Sequence, residues 1–219
     1  MRRRVNKGEE LSRERIAAAG LAVLAETGLD GLTVRKVAAV LGVQHGALYW
    51  HVRNRQDLLD EVAQALLARE FISIEPLANP EDWQAWLLAL AQRMRRAMLA
   101  QRDGAAIVAT CQSKTRVEMF SVLGEAMLTA LRSAGFSALD AFDIQLAMLG
   151  YTLGLTAQEQ ATIDPAVAPE AARRFPVLTE SKQVGFSAHG TGDALFAAGL
   201  GLLLSGAATL RGKSSNKTK

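Results

Sequence analysis

Leu-Thr-Val-Arg-Lys-Val-Ala-Ala-Val-Leu-Gly-Val-Gln-His-Gly-Ala-Leu-Tyr-Trp-His-Val-Arg-Asn-Arg, residues 32–55, reads as two short helices joined by a tight turn at Gly42. Thr33 caps the first helix. That helix is expected to bury Val34, Val37, Ala38 and Leu41. The second, from about Gln44, turns His45, Gly46, Ala47, Tyr49, Trp50 and His51 mostly outward and leaves through Arg53 and Arg55. Aromatic, His and Gln side chains on one short exposed face suit a DNA groove better than a protein core.

The flanking sequence is helical too. Behind Ser12 as N-cap, Ile16, Ala19, Gly20, Val23 and Leu24 repeat at helical spacing up to a stop at Gly28. A fourth helix spans about 56–72, with Leu58, Leu59, Val62 and Leu66 on one face. Glu75-Pro76 and Asn79-Pro80 break the chain there. The expected organisation is a basic arm 1–11, a helix-turn-helix domain 12–73, a larger helical domain 80–210 and a polar basic tail 211–219. Trp83, Trp86, Leu87, Leu90 and Met94 form one stripe. Arg102-Asp103-Gly104 is a break, a helix follows to about Cys111, and another runs from Val117 to a stop at Gly135. Asp140 to about Gln160 is a long apolar helix. Residues 161–192, rich in Pro and Gly, read as a loop or a poorly anchored helix. No alternating strand pattern appears, so the fold class is all-α.

Charge is unevenly spread. Residues 1–55 hold 10 Lys and Arg against 5 Asp and Glu, while the whole chain holds 25 against 22. A basic N-terminal segment on a near-neutral body points to a nucleic-acid end with a separate role elsewhere. The single cysteine, Cys111, leaves no internal disulfide and fits a reducing cytoplasm. The basic start lacks an apolar run, so it does not read as a signal peptide.

A helix-turn-helix places the N-terminus of its second helix on base edges. That assigns base contact to Gln44, His45, Gly46 and Ala47. Gln matches adenine, Ala the thymine methyl, and Gly46 lets the backbone come close. Tyr49, His51, Arg53 and Arg55 are expected along the phosphates, where they position without specifying. Arg35 and Lys36 reach backbone or guanine from the preceding helix, and Thr33 adds a phosphate contact at its N-terminus. The ring of Trp50 is expected to be partly buried. The competing reading is a helical bundle with a solvated basic rim.

The stretches 26–38 (Glu-Thr-Gly-Leu-Asp-Gly-Leu-Thr-Val-Arg-Lys-Val-Ala), 41–43 (Leu-Gly-Val) and 48–55 (Leu-Tyr-Trp-His-Val-Arg-Asn-Arg) resemble the N-terminal domain of the TetR family of transcriptional repressors. The Leu-Tyr-Trp-His form is closest to the tetracycline-repressor subfamily. The resemblance implies a homodimer on a palindromic double-stranded operator, with repression relieved by a small-molecule inducer. His45, Gly46 and Ala47 stand where tetracycline repressors carry Gln, Pro and Thr, which implies a different operator.

The resemblance continues through residues 81–160, by Trp83-Gln84, Arg95-Arg96, Arg102-Asp103-Gly104-Ala105, Gly135-Phe136-Ser137 and Tyr151-Thr152-Leu153-Gly154. In that subfamily a His after the Arg-Asp-Gly motif holds a ligand-bound magnesium ion. Val108 stands there in this chain. Phe71, Leu90 and Gln158 replace a His, an Asn and a carboxylate of the drug site. The expected ligand residues are Phe71, Trp86, Leu90, Met94, Val108, Cys111, Met127 and Met148, with Gln112, Gln145 and Gln158 as hydrogen-bonding partners. This set predicts a largely apolar ligand and neither metal nor cofactor. The competing reading is that the apolar members are plain core.

No acid–base constellation for catalysis is apparent, since His45, His51 and His189 are scattered and Cys111 has no His near it in sequence. The uncharged run Ala194–Leu210 sits at the short limit of a membrane span. Its Gly and Ala content fits better a close helix–helix contact, and the resemblance implies a homodimer in which the last two long helices of each subunit form a four-helix bundle. A helical interaction module or a membrane-anchored module is the alternative reading.

Overall fold

The computed structural model describes residues 11–111, 118–161 and 169–211. Every element among them is helical: α1 Arg13–Gly31, α2 Val34–Leu41, α3 His45–Leu48, α4 Arg55–Glu70, α5 Trp83–Leu99, α6 Gly104–Ala109, α7 Glu118–Ser133, α8 Ala138–Gln160, α9 Pro169–Arg174, α10 Pro176–His189 and α11 Asp193–Ala208, with a 3-10 turn at Pro80–Asp82. The basic arm up to residue 10, Gln112 and the tail from 212 lie outside the described residues.

The chain forms two compact units. Of the described residues, the first comprises 11–75 with 93–111 and 118–125, and so takes in the end of α5, all of α6 and the start of α7. Its centre is the pair α1 and α4. The Ser12 hydroxyl caps α1 by accepting from the Arg15 N–H at 3.3 Å, an arrangement worth about 1 kcal/mol. Ile16, Leu24, Leu58, Val62 and Leu67 are wholly buried, and each contributes about 1.5–3 kcal/mol through removal from water. Gly20 allows the close approach: a Cβ there would lie 2.4 Å from Val62 Cγ2.

At Gly28 the backbone leaves α-geometry, with φ 71°. Two groups from the connection between α5 and α6 meet α1 here. The Leu29 N–H donates to the Asp103 carboxylate at 2.8 Å, and Arg102 donates to the Glu26 carbonyl at 3.2 Å. The Arg-Asp-Gly motif therefore ties the end of α1 to the start of α6.

Of the described residues, the second unit comprises 76–92, 126–161 and 169–211. Trp83 packs edge-on against Phe136 with centroids 4.8 Å apart. Along α8 the buried side chains are Ala141, Ile144, Met148, Thr152 and Thr156. The two threonine hydroxyls donate to carbonyls one turn back, at 2.8 and 2.6 Å, so their burial leaves no polar group unmatched. Tyr151 crosses from α8 to α11 and donates to the Phe196 carbonyl at 3.0 Å. Arg211 closes the end of α11 with bonds to the Ala134 carbonyl and the Glu81 carboxylate, both at 2.7 Å.

The structure bears on two sequence expectations. The described part of 161–192 is helical, as α9 and α10, and no residue of α10 is buried. The apolar run at 194–210 buries Phe196, Leu200, Leu204 and Ala207. Its other faces are half-covered or open, and Leu202 is 79% exposed.

Candidate nucleic-acid interface

The reader is built from α2, the turn and α3. Thr33 accepts from the Lys36 N–H at 3.2 Å and so caps α2. Gly42 ends α2 in the left-handed region at φ 70°, ψ 27°, and the Val43 N–H returns to the Ala38 carbonyl at 3.1 Å. Glycine adopts that conformation without a side-chain clash. The turn leads to Gln44, whose side chain makes no capping bond and is exposed. The following helix has four residues, shorter than the sequence pattern implied. Leu48 and Val52, both wholly buried, hold it down from beneath.

Above that anchor the face is open. Arg35, Lys36, Gln44, His45 and Gly46 are exposed, while Thr33, Ala47 and His51 are half-buried. No atom lies within 4 Å of where a Gly46 Cβ would stand, so nothing within the chain blocks close approach of the backbone. His45 meets Tyr49 edge-on at 6.2 Å. Trp50 departs from expectation: its side chain is not partly buried but belongs to a residue 90% exposed. Leu48 and Val52 already fill the space beneath the reader, so the indole is left outside.

The basic exit is partly engaged within the chain. Arg53 grips Asp57 through Nε at 2.8 Å and Nη2 at 3.3 Å. The hydrogen bond to Asp57, then its charge, raises the Arg53 pKa above its usual value. Arg55 donates to the Leu29 carbonyl at 2.8 Å and the Leu32 carbonyl at 3.2 Å. It thus joins the start of α4 to the α1–α2 junction. The Arg53–Asp57 pairing has a local signal, the i,i+4 spacing. The reach of Arg55 across more than twenty residues has none.

The helix α4 is tied at further stations. Gln56 Nε2 donates to the Thr110 carbonyl at the end of α6 at 3.0 Å, and Gln64 accepts from the Met119 N–H at the start of α7 at 2.9 Å. Arg13 pairs with Glu61 at 3.0 Å. Burial raises the Glu61 pKa, with the Arg13 charge opposing. A cleft of about 930 Å³ runs between α1 and α4, lined by Glu14, Trp50, Asp57, Glu61 and Arg69 among others. None of the expected ligand residues lines it.

Those residues are divided between the units. In the first, Phe71, Met94, Val108 and Cys111 are buried, between 0% and 6% exposed. In the second, Leu90, Met127 and Met148 are buried, Trp86 and Gln145 half-buried and Gln158 exposed. Gln112 lies outside the described residues. Among the described residues, no three His, Cys, Asp or Glu side chains are grouped to hold a metal ion.

Comparison with known proteins agrees with this architecture. Residues 16–62 match the family model described as bacterial regulatory proteins, tetR family, and residues 75–211 match the tetracyclin repressor-like C-terminal domain. The chain is 36% identical to tetracycline repressor protein class C from Escherichia coli over 211 residues, 92% of this chain and 93% of that protein. It is similar to the solved structure of class A TetR in complex with 5a,6-anhydrotetracycline and magnesium: TM-score 0.64, 34% identity, 90% of this chain and 97% of that one. It is also similar to BioQ bound to its natural double-stranded DNA operator: TM-score 0.66, 26% identity, 91% and 99% covered.

Proposed function

The chain belongs to the TetR family of bacterial regulatory proteins, and on that premise we propose a ligand-responsive repressor that binds a palindromic operator as a homodimer in the cytoplasm. It acts by binding, not by catalysis. A largely apolar small molecule releases it without the help of a metal ion. The observation that carries this reading is the open face of Arg35, Lys36, Gln44, His45 and Gly46, seated on the buried anchors Leu48 and Val52.

In the homodimer two such faces enter successive major grooves about 34–36 Å apart. Arg35 and Lys36 neutralise phosphates, Gln44 and Ala47 read base edges, and Gly46 admits the close approach. The partner surface is supported by Leu139, Phe142 and Leu146, more than half exposed along α8, and by Leu202 on α11. Exposed apolar side chains at helical spacing on two adjacent helices fit a second copy packed as a four-helix bundle. No single described helix is long and apolar enough to cross a membrane.

The class A repressor structure holds magnesium with its drug. Magnesium takes oxygen ligands in octahedral geometry. In the first unit the buried Phe71, Met94 and Val108 carry no oxygen in their side chains, which supports an inducer bound without the ion. Ligand and operator are linked because the ligand binds the DNA-free state more tightly; equal affinity for both states shifts nothing.

The test is selection of random duplex DNA by the purified protein, then titration of the enriched sequence against salt. Enrichment of one palindrome, bound with a steep fall in affinity as salt rises, is expected. Equal affinity for a variant with residues 44–51 scrambled sinks the reading.

A further inference from the structure

We infer that Arg93 is a positioning residue for operator recognition, fixing the C-terminal end of α4 and through it the setting of the reader. The inference rests on the repressor reading above.

The last carbonyls of a helix have no partner within it, and the helix dipole places partial negative charge there. In α4 the last of them, the Glu70 carbonyl, is met from α5. Arg93 Nη2 donates to the Glu70 carbonyl at 2.7 Å and to the Ser73 carbonyl at 3.0 Å. Its guanidinium lies over the Phe71 ring, 4.6 Å from the centroid, and its Nε stands 3.9 Å from the Glu70 carboxylate. One side chain thus holds the final residue of α4, the residue after it and the chain leading away. Arg96 adds a single bond to the Glu70 carboxylate at 2.9 Å. The flat fork and ring face of Arg93 are what this combination requires. A lysine ammonium reaches one acceptor as a point charge and cannot stack in the same way.

The opposite end of α4 holds the reader. Arg55, its first residue, bonds the Leu29 and Leu32 carbonyls at the α1–α2 junction. Its sixteen residues make a rod of about 24 Å, on which a tilt of about a tenth of a radian moves the far end about 2 Å. Readers entering successive grooves tolerate little change in separation. Arg93 therefore acts on DNA without touching it, by holding the far end of that rod.

The experiment uses full-length protein and the palindrome that the unmodified chain selects, with versions whose half-sites are one base pair closer or farther apart. Arg93→Ala is expected to lower affinity for the selected spacing about tenfold and to flatten the preference over the two altered spacings. Arg93→Lys should recover part of that preference. Arg96→Ala, which removes a bond to the carboxylate alone, should keep all of it. Retention of the full spacing preference by Arg93→Ala overturns the inference. So does equal loss of binding to operator and random duplex with a parallel loss of helicity, the result for a residue that only holds the fold. If the unmodified chain selects no palindrome, it is the repressor reading that fails.

Discussion

The backbone N–H of Leu29 is held at 2.8 Å by the carboxylate of Asp103, which itself sits in the left-handed region at φ 56°. The same Leu29 offers its carbonyl to Arg55 at 2.8 Å. A single peptide segment is thus gripped from α6 on one side and from α4 on the other. Asp103→Ala removes the first grip and is expected to destabilise the protein by about 1.5–3 kcal/mol, the range for a hydrogen bond to a charged group. Amide hydrogen exchange at Leu29 should accelerate. Asp103→Asn, which keeps an acceptor oxygen and tolerates left-handed backbone, should lose less. An unchanged exchange rate at Leu29 in Asp103→Ala contradicts this.

Gln44 and Arg35 are both exposed on the reader but differ in expected role. Gln44→Ala should change which bases are preferred at one position of each half-site, at a cost of about 1–3 kcal/mol against the preferred sequence. Arg35→Ala should weaken all duplexes alike and reduce the salt slope by about 1. Binding titrations over operator variants and salt concentrations separate the two. Equal losses over all variants for Gln44→Ala would remove it from base contact.

The capping residues make much of the first unit legible in the sequence: Ser12, Thr33 and Gly42 mark ends that the structure keeps. These signals are local, because a cap satisfies backbone groups within a few residues of itself. The rest turns on which of several near neighbours takes the space beneath, or on partners far apart in sequence. Trp50 is open because Leu48 and Val52 occupy the space below it, and an aromatic residue on a short helix gives no sign of which neighbour wins. Arg53 and Arg55 looked like one basic exit, yet both are committed to partners inside the chain. The apolar stripe beside Arg93 says nothing of carbonyls twenty or more residues earlier. In the second unit, Phe142 and Met148 belong to one apolar helix, but only the second is buried within the chain. Hydropathy cannot distinguish a face turned to its own core from one turned outward.

Gly104 is fixed by backbone. A Cβ at this position would lie 2.0 Å from the Met98 carbonyl oxygen, and that atom cannot swing aside as the end of a side chain can. Gly104→Ala is therefore expected to cost about 2–3 kcal/mol, the upper range for overpacking. Chemical denaturation measures it. A neutral result would show that the turn between α5 and α6 has room to shift.

Glu61 gives the stability a pH dependence with a definite sign. Burial raises its pKa above the ordinary 4.5, so the folded chain holds that proton more tightly than the unfolded chain. Its contribution is fully present below pH 4.5 and declines as pH rises through the folded value. Arg13 offsets little of this, because its side chain is 65% exposed and such pairs are weak. Glu61→Gln should raise the melting temperature at pH 7, and the gain should vanish by about pH 4. A variant less stable than the parent at pH 7 would mean that the Arg13 pair outweighs burial.

Tetracycline with magnesium should leave the operator complex intact. Val108 is 1% exposed and Leu90 3%, and neither carries a donor atom for the ion. Fluorescence anisotropy of labelled operator measures release directly. Dissociation at nanomolar drug with magnesium, and not without it, would overturn the metal-free reading.

The open indole of Trp50 also equips the protein with its own optical probe. Trp83 is 2% exposed and Trp86 half-buried, while Trp50 is 90% exposed, so a soluble quencher such as iodide acts chiefly on Trp50. A duplex settling over the reader would shield that ring and withdraw part of the emission from the quencher. Operator occupancy can then be followed in the unmodified molecule, with no label attached to either partner, by the very side chain that the core left outside.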